Sequence, residues 1–137
     1  MSTFEGSCLC GAISYVVEGE PSAFNYCHCR SCRKASGSAF AANASVPRAG
    51  FRLEGSAETL AEYESSPGKM RAFCSRCGSP VYAYMTAHPE TLRLRMGLLD
   101  SEFAGRPQSH IWVSQTPAWD MICDDIPQFE RFAPRQV

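Results

Sequence analysis

Seven of the eight cysteines in this 137-residue chain fall into three short clusters, Cys8-x-Cys10, Cys27-x-Cys29-x-x-Cys32 and Cys74-x-x-Cys77. The middle one lies in Tyr26-Cys27-His28-Cys29-Arg30-Ser31-Cys32-Arg33-Lys34. Residues i and i+2 of an extended segment share a face, so Cys27 and Cys29 can turn both sulfurs toward one ion. The x-x spacing that follows fits a tight turn, which brings the Cys32 sulfur to the same place. Three thiolates make three ligands, and tetrahedral Zn²⁺ takes four. A site with an open position is suited to catalysis or ligand capture, which makes Cys27, Cys29 and Cys32 both candidate metal ligands and the candidate catalytic residues.

Several four-cysteine combinations satisfy the ligand count. Local geometry favours keeping the contiguous triplet together, and the two remaining pairs then complete each other. Cys8, Cys10, Cys74 and Cys77 would form a closed, structural Cys₄ site, with Cys74-Ser75-Arg76-Cys77-Gly78 read as a zinc knuckle. Disulfides are the weaker reading, because cysteines at i and i+2 are badly placed to bridge. Cys123, within Met121-Ile122-Cys123-Asp124, reads as a buried small hydrophobe. His28 sits between two candidate ligands and should face away from the metal, tuning it indirectly through the ligands beside it or lining the opposite face. His88, before Pro89, is expected in an exposed loop. His110 opens an apolar strand and is as consistent with a core or rim histidine as with a catalytic one.

The elements that must position these residues are read from alternation and turn signals. Strands are expected over 12–18, through 24–26, weakly over 38–46 (a helix is the alternative), and over 51–55, 59–63, 69–73, 80–85, 91–96 and 110–113. Cys32 to Ser36 could form one helical turn, and Ser65-Ser66-Pro67-Gly68 is a turn. No stretch carries a long 3.6-residue apolar period, so the expectation is an all-β fold of short, mostly antiparallel strands in one domain over residues 1–137. Charged residues make up 20% and the formal net charge is −1, which favours neither a nucleic-acid nor an anionic-membrane partner. No apolar run is long enough to span a bilayer, and the first residues lack the pattern of a signal peptide, which predicts a cytoplasmic protein with reduced thiols.

Taken together, these motifs resemble the glutathione-dependent formaldehyde-activating enzyme family, which includes the centromere protein V domain. The carriers are Gly6-Ser7-Cys8-Leu9-Cys10-Gly11, Cys27-His28-Cys29-Arg30-Ser31-Cys32, Phe73-Cys74-Ser75-Arg76-Cys77-Gly78 and Gly97-Leu98-Leu99-Asp100. They continue through His110-Ile111-Trp112-Val113 and Pro117-Ala118-Trp119 to Ile126-Pro127-Gln128-Phe129. The resemblance implies a β-tent-like zinc fold with one structural and one catalytic zinc, and the same division of the seven cysteines. It also implies a carbon–sulfur lyase whose small-molecule partners are a thiol, glutathione, and an aldehyde, formaldehyde, joined as S-hydroxymethylglutathione. One departure stands out: relatives often carry Ser-Lys before Ala-Pro-Trp, whereas this chain reads Ser114-Gln115-Thr116-Pro117-Ala118-Trp119.

The residues suit such chemistry. A free thiol titrates near ~8.5 and is mostly protonated at neutral pH, while Zn²⁺ favours the thiolate. Glutathione carries two carboxylates, and Arg30, Arg33 and Lys34 are candidate binding residues for them, against a plainer role as solvated surface cations. Trp112 reads as core, and Trp119 as core or pocket wall. Two competing functions remain: a zinc-stabilised binding module whose triplet is completed by a residue such as Cys123, and a redox sensor built on the exposed thiolates.

Overall fold

The computed structural model of the chain describes residues 2–55 and 57–134. Its regular structure is mostly strand, as the alternation predicts. It divides into two compact units, one of Met1–Ser22 with Ala44–Ala104 and one of Ala23–Asn43 with Gly105–Val137.

In the first unit, β1 (Thr3–Ser7), β2 (Ser14–Glu18) and β5 (Phe51–Leu53) form a three-stranded antiparallel sheet in the order β1-β2-β5. A meander follows, with β6 (Leu60–Ser66), β7 (Lys69–Cys74), β8 (Pro80–Met85) and β9 (His88–Arg95) paired antiparallel in sequence. Period-2 alternation sets strand faces: Tyr15 and Val17 of β2 are fully buried while their neighbours are not, and in β9 Leu92 and Leu94 are fully buried on either side of the half-buried Arg93. Pro67-Gly68 closes the β6–β7 hairpin, where Ser66 pairs with Lys69 and Gly68 takes φ +79°.

The first strand is missing from the sequence reading, and Gly6 explains why. Glycine is a poor strand former, yet here Gly6 lies directly opposite Tyr15. A Cβ on Gly6 would meet the Tyr15 Cζ and Oη at 2.3 Å and the Leu98 carbonyl oxygen at 2.8 Å. The phenol occupies the space a side chain would need. Gly6→Ala should therefore cost about 1–3 kcal/mol through overpacking, since the carbonyl is backbone and cannot swing away. Urea denaturation would measure it, and an unchanged midpoint would show that the Tyr15 ring can relocate.

The second unit holds β3 (Ser22–Cys27, its first residue in the other unit), helix α1 (Arg30–Ser36) and β10 (Ser109–Ile111). β4 (Ala41–Pro47) starts in this unit and ends in the first. β10 lies parallel to β3, with His110 opposite Tyr26 and Ile111 opposite Cys27. Its other edge is lined by the returning C-terminal segment: His110 N–H donates to Pro127 O at 2.8 Å, and Phe129 N–H to His110 O at 2.9 Å. Cys27, Cys32, Ala41 and Ile111 make the local core, with Cys29, Trp112 and Ala133 packed against it.

Three local expectations need correction. His88 is exposed as expected but stands in β9, paired with Met85, because Pro89 occupies a strand end where its missing N–H costs little. The helix begins at Arg30, two residues earlier than expected, because Cys29 caps it: its Sγ accepts the Cys32 N–H at 3.3 Å. The strand expected over 110–113 stops at Ile111, because Trp112 turns into the left-handed region at φ +58°.

Candidate metal centres

Two turns in the first unit face each other with their cysteines. The chain leaves β1 at Cys8 and doubles back through Gly11 (φ +81°), with Gly11 N–H donating to Cys8 O at 3.0 Å. It leaves β7 at Cys74 and returns through Gly78 (φ +80°), whose N–H donates to Cys74 O at 2.7 Å. Left-handed backbone at both positions is what glycine permits at no steric cost. The four sulfurs of Cys8, Cys10, Cys74 and Cys77 all lie within 4.8 Å of one another. The Cys8–Cys10 and Cys10–Cys74 separations are 3.7 and 3.8 Å. A tetrahedron of Zn–S bonds near 2.3 Å has sulfur–sulfur edges of roughly 3.8 Å. A disulfide would need about 2.05 Å.

Donors already point at these sulfurs. Ile13 N–H donates to Cys8 Sγ at 3.3 Å. The Ser79 hydroxyl, itself an acceptor for Leu9 N–H at 3.0 Å, stands 3.2 Å from Cys77 Sγ. That hydroxyl, with the Ser79 backbone N–H, pulls the Cys77 thiol down to about 5. Burial opposes ionisation of Cys74, but N–H groups of Cys77 and Arg76 outweigh it and lower that thiol too. At Cys10 an Ala12 backbone contact favours the thiolate, yet burial and the sulfurs of Cys8, Cys77 and Cys74 push it up to about 11. Three thiols of the cluster thus differ in how readily they ionise. A divalent cation would balance the charge of all four, and the donor set and spacing fit a closed tetrahedral zinc site.

The second cluster is built differently. Cys27 ends β3, Cys29 caps α1 and Cys32 lies in the helix's first turn, so strand, cap and helix each deliver one sulfur. These three sulfurs are also mutually within 4.8 Å, and among the described residues they form a three-donor group. Cys27 and Cys32 are buried and Cys29 is half-buried. The neighbouring sulfurs of Cys29 and Cys32, and then burial, push the Cys27 thiol well above its ordinary range. The set fits a metal held by three thiolates.

Arg30, Arg33 and Lys34 all stand on α1, at the i, i+3 and i+4 positions that share one face. Arg30 and Lys34 are exposed. Arg33 is half-buried, and its Nε is buried without a hydrogen-bond partner among the described residues. Gln115, the departure from the family's motif, accepts the Arg30 backbone N–H at 2.8 Å and so holds the start of the helix. Trp112 packs on the local core and meets Phe132 edge-on, whereas Trp119 is 73% exposed. Cys123 is exposed too, with its Sγ 3.6 Å from Met121 O, so the expectation of a buried thiol fails. Its apolar neighbours sit in an exposed loop rather than a core.

A polar row escaped the sequence reading altogether. His28 Nε2 lies 2.8 Å from His110 Nδ1, and His110 Nε2 lies 3.0 Å from both carboxylate oxygens of Asp124. Burial, and then the charge of His110, lower the His28 pKa. Desolvation works against ionisation of Asp124, but hydrogen bonds from His110 and from Ile126 N–H hold it below the usual carboxylate range. His28 does turn from its cysteine neighbours, as period-2 geometry implied. Its partner, 82 residues away, left no local signal.

Known proteins resemble this chain. A family model described as glutathione-dependent formaldehyde-activating enzyme matches residues 3–115. A Halomonas elongata protein, provisionally named as such an enzyme, is 36% identical over 132 residues, covering 84% of this chain and 78% of its own length. An uncharacterized lyase of Schizosaccharomyces pombe is 33% identical over 82 residues, 60% of this chain and 58% of its own. A crystal structure of a Rhodobacter sphaeroides protein matches in fold, with a TM-score of 0.61 over 73% of this chain and 91% of that one, at 24% identity. With the family's model spanning most of the sequence and its cysteines gathered into two clusters, the chain belongs to the glutathione-dependent formaldehyde-activating enzyme family.

Proposed function

We propose that the protein is a zinc-dependent carbon–sulfur lyase acting on glutathione–aldehyde adducts, with S-hydroxymethylglutathione as the adduct its relatives' names suggest. The observation that carries this reading is the contrast between a four-sulfur cluster and a three-sulfur one. Four thiolates satisfy tetrahedral zinc, so Cys8, Cys10, Cys74 and Cys77 are assigned a structural ion. Three leave a position for a ligand, so Cys27, Cys29 and Cys32 are assigned the catalytic one. The reading treats residues 1–137 as one functional domain in the cytoplasm, where thiols stay reduced; no helix among the described residues is long and apolar enough to cross a membrane.

In the synthetic direction, the thiol sulfur bonds to the aldehyde carbon, the carbonyl π pair moves to oxygen, and the proton lost by sulfur is matched by one gained at oxygen. A zinc ion at the triplet would supply positive charge that favours a thiolate over a thiol. Three thiolates already over-neutralise that charge, so positioning is expected to contribute more than activation. The chain's own residues do the positioning. Cys29, fixed as the helix cap, holds the triplet in shape. Arg33 offers a buried Nε–H without a partner among the described residues, and Arg30 and Lys34 add exposed positive charge on the same face for the two carboxylates of glutathione. The competing binding-module reading needs a fourth ligand such as Cys123, and Cys123 lies outside the cluster.

Stepwise metal removal tests this. Elemental analysis should count two zinc ions per chain. A mild chelator should strip the three-sulfur site first, abolishing turnover and the heat of glutathione binding while the thermal melt persists. Metal lost in one step together with the fold, or a zinc-loaded protein indifferent to glutathione, would overturn the assignment.

A further inference from the structure

Between the end of β3 at Cys27 and the start of α1 at Arg30, the backbone that carries the sulfur triplet is held from outside. Ile111 stands opposite Cys27, and its carbonyl oxygen accepts the His28 N–H at 2.9 Å. The Gln115 side chain accepts the Arg30 N–H at 2.8 Å. A backbone N–H can only donate, so the amide oxygen of Gln115, and not its NH₂ group, faces Arg30. The first N–H groups of a helix lack partners inside it, and that of Arg30 finds one here. One short segment, 111–115, thus grips the triplet's backbone on both sides of Cys29.

A costly turn brings Gln115 to that place. β10 ends at Ile111, and the next residue, Trp112, takes φ +58° and ψ +37°. Left-handed backbone is rare for a bulky side chain and persists only where the surroundings impose it. Trp112 packs on the core of Cys27, Cys32, Ala41 and Ile111, and its N–H donates to Arg131 O at 2.9 Å. A 3₁₀ turn over Val113–Gln115 follows, tied to the returning C-terminal segment. Val113 N–H donates to Phe129 O at 3.1 Å, and the Ser114 hydroxyl to Glu130 O at 2.7 Å. Local strain that is held this firmly points to a group being aimed. Gln115 itself is exposed, so burial of its side chain does not explain the turn, whereas the hydrogen bond to Arg30 does.

We propose that Gln115 is a positioning residue for the three-sulfur cluster: its amide oxygen clamps the start of α1, and losing that acceptor loosens the arrangement of Cys27, Cys29 and Cys32 and weakens the metal held there. The four-sulfur cluster has no part in this clamp, because Cys8, Cys10, Cys74 and Cys77 belong to the other compact unit. Acceptor chemistry at position 115 is what matters. Glutamine and glutamate carry an acceptor oxygen, leucine carries none, and lysine can only donate. The metal half of the proposal rests on the zinc reading of the triplet; the clamp on Arg30 does not.

The test compares Gln115→Leu, similar in size but without the acceptor, with Gln115→Glu, which keeps it. Each zinc-loaded full-length protein is titrated with a chromophoric chelator, and amide hydrogen exchange is followed by NMR. A single net hydrogen bond corresponds to a factor of roughly 2–10. Gln115→Leu should speed exchange at the Arg30 amide by about that factor and raise the Kd of the more weakly held zinc to match. The tightly held zinc should keep its affinity, a split between two sites of one chain that a general loss of stability does not produce. Gln115→Glu should restore both readouts. Arg30 exchange indifferent to Gln115→Leu would overturn the clamp. Faster exchange with both zinc affinities unchanged, or both weakened together, would overturn the positioning role. A wild-type protein that binds one zinc and turns over no thiol–aldehyde adduct would remove the lyase reading and the metal half with it, while Arg30 exchange would still decide the clamp.

Discussion

Cys74→Ser is expected to leave a protein with no cooperative melting transition and one zinc fewer. Cys74 is fully buried, its sulfur lies 3.8 Å from that of Cys10, and its backbone anchors the Gly78 turn. Serine cannot replace a thiolate as a zinc ligand at neutral pH. Structural zinc sites in small domains contribute roughly 10 kcal/mol or more of binding free energy that doubles as folding free energy. Typical domain stability is about 5–15 kcal/mol, so losing even part of that contribution leaves little. Circular dichroism with elemental analysis would read the result. A Cys74→Ser protein that melts within a few degrees of wild type would show that the four-sulfur cluster is not a structural metal site.

Cys29→Ser should do the opposite, leaving the fold intact and the activity lost. The sulfur of Cys29 has two tasks: it is one of three donors in the triplet, and it caps α1 by accepting the Cys32 N–H at 3.3 Å. Serine is among the best N-cap residues, so the substitution keeps the cap while removing the thiolate. Stability should change by less than about 1 kcal/mol. Turnover should fall by more than the roughly hundredfold that outer-shell changes produce, because a direct ligand is gone. The heat of glutathione binding should vanish with it. Cys29→Ser melting as badly as Cys74→Ser would erase the division of labour between the clusters. Cys29→Ala is a useful contrast, since it removes cap and ligand together and should lose about a further 1 kcal/mol.

How much of this was legible in the chain differs by feature. Metal-cluster spacing is a local property. Cys-x-Cys in an extended segment and Cys-x-x-Cys at a turn converge their own sulfurs, so the triplet and the two pairs could be drawn before any fold was known, whereas joining the two pairs, 64 residues apart, followed only from what the triplet left over. A strand with clean alternation, such as residues 91–95 of β9, announced itself in the same way. β1 did not, because its Gly6 makes sense only beneath the Tyr15 ring of the next strand. Cys123 misled for a related reason: two apolar neighbours suggest burial, but burial is decided by what the rest of the chain brings, and among the described residues Met121 and Cys123 stay exposed.

The histidine row marks the boundary most clearly. The sequence determined that His28 lies between two cysteines and so turns away from them. Only the tertiary structure decided what it meets. Parallel pairing puts His110 opposite Tyr26, one residue before Cys27, and from there its ring reaches His28 along the strand. The segment returning along β10 then brings Asp124 to the far side of His110. Ligand spacing is encoded in neighbours along the chain, whereas a hydrogen-bonded row across 82 residues depends on strand register and a loop's return path, which no local pattern specifies.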